Sequence, residues 1–267
     1  MRCIRTDTDL KTLLNNSIRV SGNRVVLMDP DRFRRDTVDQ LVYNAVFHPS
    51  ERLRDFAAWL IHRAAAAEVI YPCSKGGLYA VAGQGQLPGM AVPAASLRVL
   101  SYDAARACFR ALRDTASASF VFRLDDAEDP LMTPRAFVAC VLGAAIKEHY
   151  QGPVFFEAGY LREYRRVPRE RRFDELDRLK SLIDEALDQG IFNLELDTRE
   201  MIDRGRPTPD EQVEESAADA AELLAYLRQT EPPQAHTNVS LRLSDRSDDN
   251  GLVRQFRALA EAVEMEL

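Results

Sequence analysis

The chain has 267 residues, 46% of them hydrophobic and 29% charged, and a formal net charge of −7. This is ordinary globular composition, with enough apolar surface for a sizeable core. The acidic balance gives no support for nucleic acid or an anionic membrane surface as partner, and no apolar run reaches spanning length.

The opening MRCIRTDTDL lacks the apolar stretch of a secretory signal, so a cytoplasmic protein is expected. The four cysteines, Cys3, Cys73, Cys108 and Cys140, form no CxxC pair and are expected as reduced thiols without a metal. Arginine dominates the cations. The only lysines are Lys11, Lys75, Lys147 and Lys180, which reads as a compositional bias.

Residues 1–82 read as a mostly helical N-terminal extension. DRFRRDTVDQLVYNAVF and SERLRDFAAWLIHRAAAAE repeat apolar residues at helical spacing, the second opened by Ser50 as N-cap. SKGGLYAVAGQGQLPG follows. Its glycines lack the order of a dinucleotide or phosphate loop and are read as turns and a linker. Residues 83–267 change rhythm. Five short apolar strands, within MAVPAASL, SFVFRL, PVFFEA, FNLELD and HTNVSLRL, are each followed by a helix-length segment. That alternation predicts parallel βα units with right-handed crossovers. A (β/α)₈ barrel needs eight such units. The expected fold is therefore α/β, an incomplete TIM-barrel-like sheet of about five parallel βα units behind a helical extension.

Parallel α/β folds place their chemistry at the carboxyl ends of the strands. Asp125 and Asp126 follow the second strand, with Glu128 and Asp129 beyond; Glu157 ends the third; Glu195 and Asp197 end the fourth; Asp245 follows the fifth. They form either an acidic rim or ordinary loop and N-cap carboxylates. The loop after the third strand holds Arg162, Arg165, Arg166, Arg169, Arg171 and Arg172. This is either a clamp for phosphate or carboxylate or a solvated basic loop. Carbonyl chemistry on lysine needs an amine at a strand end. None is predicted there: Lys147 and Lys180 fall in helices, and Lys11 and Lys75 precede the barrel strands. His48, His62, His149 and His236 read as solvated or capping residues rather than metal ligands.

LVYNAVF, IYPCS, GLYAVAGQGQLPGMAVPA, SYDAARA, GPVFF and FNLELDT followed by PTPDEQ together resemble the metal-dependent (class II) fructose- or tagatose-bisphosphate aldolase family. The match is to its longer bacterial branch with a helical extension, from about Leu41 to about Val263. The resemblance implies an Asp acid/base and a metal-ligating His after the third strand; Ala158, Gly159 and Tyr160 stand there. It implies Asn where Ser96 stands and a substrate-binding Ser near Ala127. A metal-ligating Glu is implied near Leu243-Ser244. Only its Asp-Thr is kept, as Asp197-Thr198. The implied reading is a scaffold whose ancestral divalent metal, zinc, and aldol cleavage are lost, and which acts as a binding or accessory subunit without cofactor. The alternative is a repurposed lyase or isomerase on a phosphorylated or carboxylated sugar-like substrate. Asp197, Tyr160 and Glu157 are then the candidate catalytic residues. Ser96, Arg98, Asp126, Arg162, Arg165 and Arg166 are the candidate binding residues. The uncovered edge of a partial barrel implies a homo-oligomer or a partner subunit that completes it.

Overall fold

The structure is a computed structural model. It describes residues 3–14, 17–86, 92–114, 119–126, 132–162, 172–197, 199–233 and 235–242, with 256, 257, 260, 261 and 264. Arg165, Arg166, Arg169, Arg171, Ala127, Glu128, Asp129, Thr198, Leu243, Ser244 and Asp245 lie outside the described residues, as does most of the last expected helix.

Helix α1 (Asp7–Leu14) is followed by a hairpin of β1 (Ile18–Ser21) and β2 (Arg24–Leu27). The hairpin is an addition to the mostly helical reading of this part. Two β-branched runs flank Gly22-Asn23, and Gly22 takes the left-handed conformation, φ 58°, that a two-residue hairpin loop requires. The expected helix over residues 31–47 divides into a short α2 (Pro30–Arg32), a π-helical turn over Phe33–Thr37 and α3 (Val38–Phe47). Lys147 braces the wide turn, its Nζ donating to the carbonyls of Arg34 (2.8 Å) and Arg35 (3.3 Å) and to Asp39 Oδ2 (2.7 Å).

Helix α4 (Glu51–Ala67) begins where expected, but Ser50 makes no side-chain cap. Instead His48 is buried, its Nδ1 accepting the Ser50 N–H at 3.0 Å while Nε2 lies 2.8 Å from the Ile4 carbonyl. His48 is thus a capping histidine that also fastens the N-terminal segment. The glycine-rich stretch read as turns forms helix α5 (Gly76–Gly83), preceded by a short strand β3 (Ile70–Pro72).

The five expected strands are present as β4 (Ala94–Ser96), β5 (Val121–Leu124), β6 (Gly152–Arg162), β7 (Asn193–Asp197) and β8 (Asn238–Leu241). The helices between them are α6 (Ser101–Asp114), α7 (Pro134–Lys147), α8 (Arg172–Asp188) and α9 (Pro209–Thr230). The sheet runs β4-β5-β6-β7-β8, and β3 adds a sixth strand that pairs in parallel with the start of β6. Among the described residues no pairing closes it into a barrel.

Contacts divide the chain into two units, Met1–Cys73 with Leu78–Phe156, and Ser74–Gly77 with Glu157–Leu267. The core of the first is α7, capped by Thr133 with Pro134 in its first turn and buried on nearly every side. Gly143 lets α3 approach, since a β-carbon there would overlap Val42. In the second unit, Ala217, Ala220 and Ala221 of α9 pack with Leu224 and with Leu241 of β8.

Candidate functional site

The predicted residues fall into two groups, one in each unit. In the first unit Ser96 at the end of β4 donates to Asp125 just past β5, and Arg123 Nε donates to the same carboxylate at 2.5 Å. Arg98 lies 3.2 Å from Asp126. Both partners of that pair are solvent-exposed, 68% and 41% at the side chain, so the contact contributes about 0–1 kcal/mol. This group is a small surface network.

The second unit holds a buried arrangement. Along β7 the side chains of Asn193, Glu195 and Asp197 share one face, because strand residues alternate. Asn193 and Asp197 are buried, and Glu157 on β6 is 9% exposed. Each carboxylate of the row meets a cation. Lys75 Nζ pairs with Glu157, Arg242 Nη1 lies 3.1 Å from Glu195, and Arg162 Nε lies 3.2 Å from Asp197. The Lys75 backbone N–H donates to Asn193 Oδ1 at 2.7 Å, which ties the Lys75–Glu157 pair to the row. Of these cations Arg162 is the most exposed, at 43%.

A bulge in β6 shapes this face. Between the pairs Ala158–Leu194 and Leu161–Leu196, β6 carries one residue more than β7. The extra residue falls at Gly159-Tyr160 and re-aims the chain, so that Arg162 comes level with Asp197. Tyr160 is not part of the polar row. It is buried, its hydroxyl has no hydrogen-bond partner among the described residues, and burial, aided by the Glu185 carboxylate on α8, holds its phenol well above the usual range. A phenol so placed exchanges no proton near neutral pH. The structure thus joins Glu157, Arg162 and Asp197 in one row, sets Tyr160 apart, and places Ser96, Arg98 and Asp126 in the other unit.

Lys75 corrects the expectation that no lysine stands at a strand end. It follows β3, and β3 is a parallel strand of the same sheet. Its side chain is 10% exposed. Three residues, IYP, are too few to show strand periodicity, which is why Lys75 reads from sequence as lying before the sheet. Asn193 and Arg242 were likewise missed. Asn193 opens its strand rather than ending it, and Arg242 follows a strand whose end gives no distinct signal.

The row suits some chemistries and not others. Among the described residues its three carboxylates face three cations, so their charges balance, and a divalent ion would have to displace a lysine or arginine. Ala158, Gly159 and Tyr160, where the resemblance implies an acid/base and a metal ligand, supply neither. Among the described residues no three His, Cys, Asp or Glu side chains gather as metal ligands. The described residues of the row thus offer no open set of three ligands for a catalytic zinc. Burial pushes the Cys140 thiol up to about 12, which makes it inert.

No protein-family model matches the chain, and no curated protein matches it. Among solved structures it is similar to a probable tagatose 6 phosphate kinase from Sinorhizobium meliloti 1021, with 19% identity and a TM-score of 0.49. The match covers 66% of this chain and 45% of that one, so the chain spans less than half of that protein. A likeness of this size says nothing about what this chain binds. No described helix is long and apolar enough to cross a membrane.

Proposed function

We propose that this chain is an aldolase-like α/β protein that binds a phosphorylated or carboxylated sugar-like ligand without a metal, as a binding or accessory subunit. The observation that carries the reading is the balanced polar row: Glu157, Glu195 and Asp197 are each held by a cation. An anionic ligand enters such a row by exchange, taking a guanidinium from its carboxylate. Arg162 is the cation it meets first, because its side chain is the most open of the three. The same exchange gives no advantage to a divalent cation. A partner subunit or second copy belongs to the proposal, supported by β4 at one end of the sheet order and by Val99 and Leu100, 79% and 76% exposed, just after it.

A thermal-shift panel of sugar phosphates, with and without Mg²⁺, Mn²⁺ or chelator, tests this. Stabilisation independent of metal, and lost in Asp197→Ala and Arg162→Ala, is expected. Zinc-dependent cleavage of fructose or tagatose bisphosphate by the purified chain would overturn it.

The second reading, a repurposed lyase or isomerase, is favoured by one specific observation: a buried lysine just past the end of β3 in contact with a buried carboxylate within β6.

A further inference from the structure

We propose that Lys75 captures the carbonyl carbon of a small phosphorylated or carboxylated sugar-like ligand as an imine, with Glu157 carrying the proton. The proposal rests on the second reading, that the polar row of the second unit is a reaction site.

Lys75 stands just past the carboxyl end of β3, the end of a parallel strand at which such folds place reacting groups. Its backbone is fixed on both sides. The Lys75 N–H donates to Asn193, which is fully buried, and the Gly76 N–H donates to Ser74 Oγ at 3.2 Å as α5 begins. The amine is largely removed from water, and the group in contact with it is a carboxylate able to take and return a proton.

The choice of residue adds a second argument. Lysine and arginine together number 35, yet only four are lysine. A purely structural cation here could be an arginine, as at Glu195 and Asp197 in the same row. Arginine keeps its proton and forms no imine; lysine does both things required. Of the other lysines, Lys147 is consumed by the carbonyls of Arg34 and Arg35 and by Asp39, and Lys180 by Glu222.

Glu157 takes a proton from the Lys75 ammonium, and the free amine attacks the carbonyl carbon. A C–N bond forms as the C=O π bond breaks, and the carbonyl oxygen takes a second proton from the attacking nitrogen to become a hydroxyl. Glu157 returns its proton to that hydroxyl, which leaves as water. A protonated imine and a Glu157 carboxylate remain. The ammonium and the ketone or aldehyde are the only reactants, and no oxidant or further co-reactant is required.

The test uses the unaltered full chain with dihydroxyacetone phosphate, glyceraldehyde 3-phosphate or pyruvate as probe. Borohydride traps the imine, peptide mass mapping locates it, and a thermal shift measured in parallel reports binding. A secondary-amine adduct on Lys75 with at least one probe, absent in Lys75→Arg and formed about 100-fold more slowly in Glu157→Gln, is expected. Binding without an adduct on Lys75, or labelling spread evenly over Lys11, Lys147 and Lys180, overturns the imine and leaves ligand binding standing. Neither binding nor an adduct overturns both. Because the site is mapped on the unaltered chain, the outcome does not depend on the variants folding.

Discussion

The Lys75–Glu157 pair makes a sharp energetic prediction. Its side chains are 10% and 11% exposed, so neither is substantially solvated. Replacing Lys75 by Met removes one partner at similar length and leaves the Glu157 carboxylate buried without its cation. Removing one partner of a buried pair costs about 3–5 kcal/mol, because the remaining charge keeps its desolvation cost and loses its compensation. Neutralising both, in Lys75→Met with Glu157→Gln, removes charge and countercharge together and should recover about half of that loss or more. Urea denaturation, fitted as two transitions if the units of the chain unfold separately, measures each variant. The coupling should exceed about 1 kcal/mol and appear in the transition of the second unit. If Lys75→Met costs less than about 0.5 kcal/mol, the pair behaves as an exposed one. The lysine at the end of β3 is then not shielded from water.

Two further predictions concern residues away from the polar row. Tyr160→Phe removes a buried hydroxyl that has no partner among the described residues, so stability should be unchanged or rise by up to about 1 kcal/mol, with the sugar-phosphate thermal shift intact; loss of that shift would restore Tyr160 to the site. Burial pushes the His62 imidazole from 6.5 down to about 4, so between those values the unfolded chain binds a proton that the folded chain does not. Stability is full above pH 6.5 and falls as pH drops toward 4, by up to about 1.4 kcal/mol per pH unit. His62→Leu should flatten that acid branch in denaturation measured at several pH values, and an unchanged slope would assign the acid sensitivity elsewhere.

The sequence and the structure agree where local patterns are long. The helices over residues 101–114, 134–147, 172–188 and 209–230 each span several turns, and their periodicity or apolar run is strong enough to read directly. The strands between them follow from the alternation. What escaped is short or tertiary in origin. The β1–β2 hairpin has strands of four residues and a signal confined to Gly22-Asn23. Strand β3 has three residues and becomes a strand only by pairing with β6. Helix α5 forms from a Gly-rich segment with no buried residue, where propensity argues for turns. The candidate site was legible in the same uneven way. Asp197 is visible as a strand-end carboxylate, whereas Glu157, expected to end its strand, lies within β6, which runs on to Arg162; their pairing with Arg162 and Lys75 depends on a bulge and on a strand that the sequence does not announce.

The polar row is proposed to bind its ligand without a metal. The most direct test is the metal content of the purified full chain, prepared without chelator from cells supplied with zinc. The balanced row predicts no stoichiometric zinc or other divalent ion. One equivalent of zinc, lost on replacing Asp197 by alanine, would contradict it.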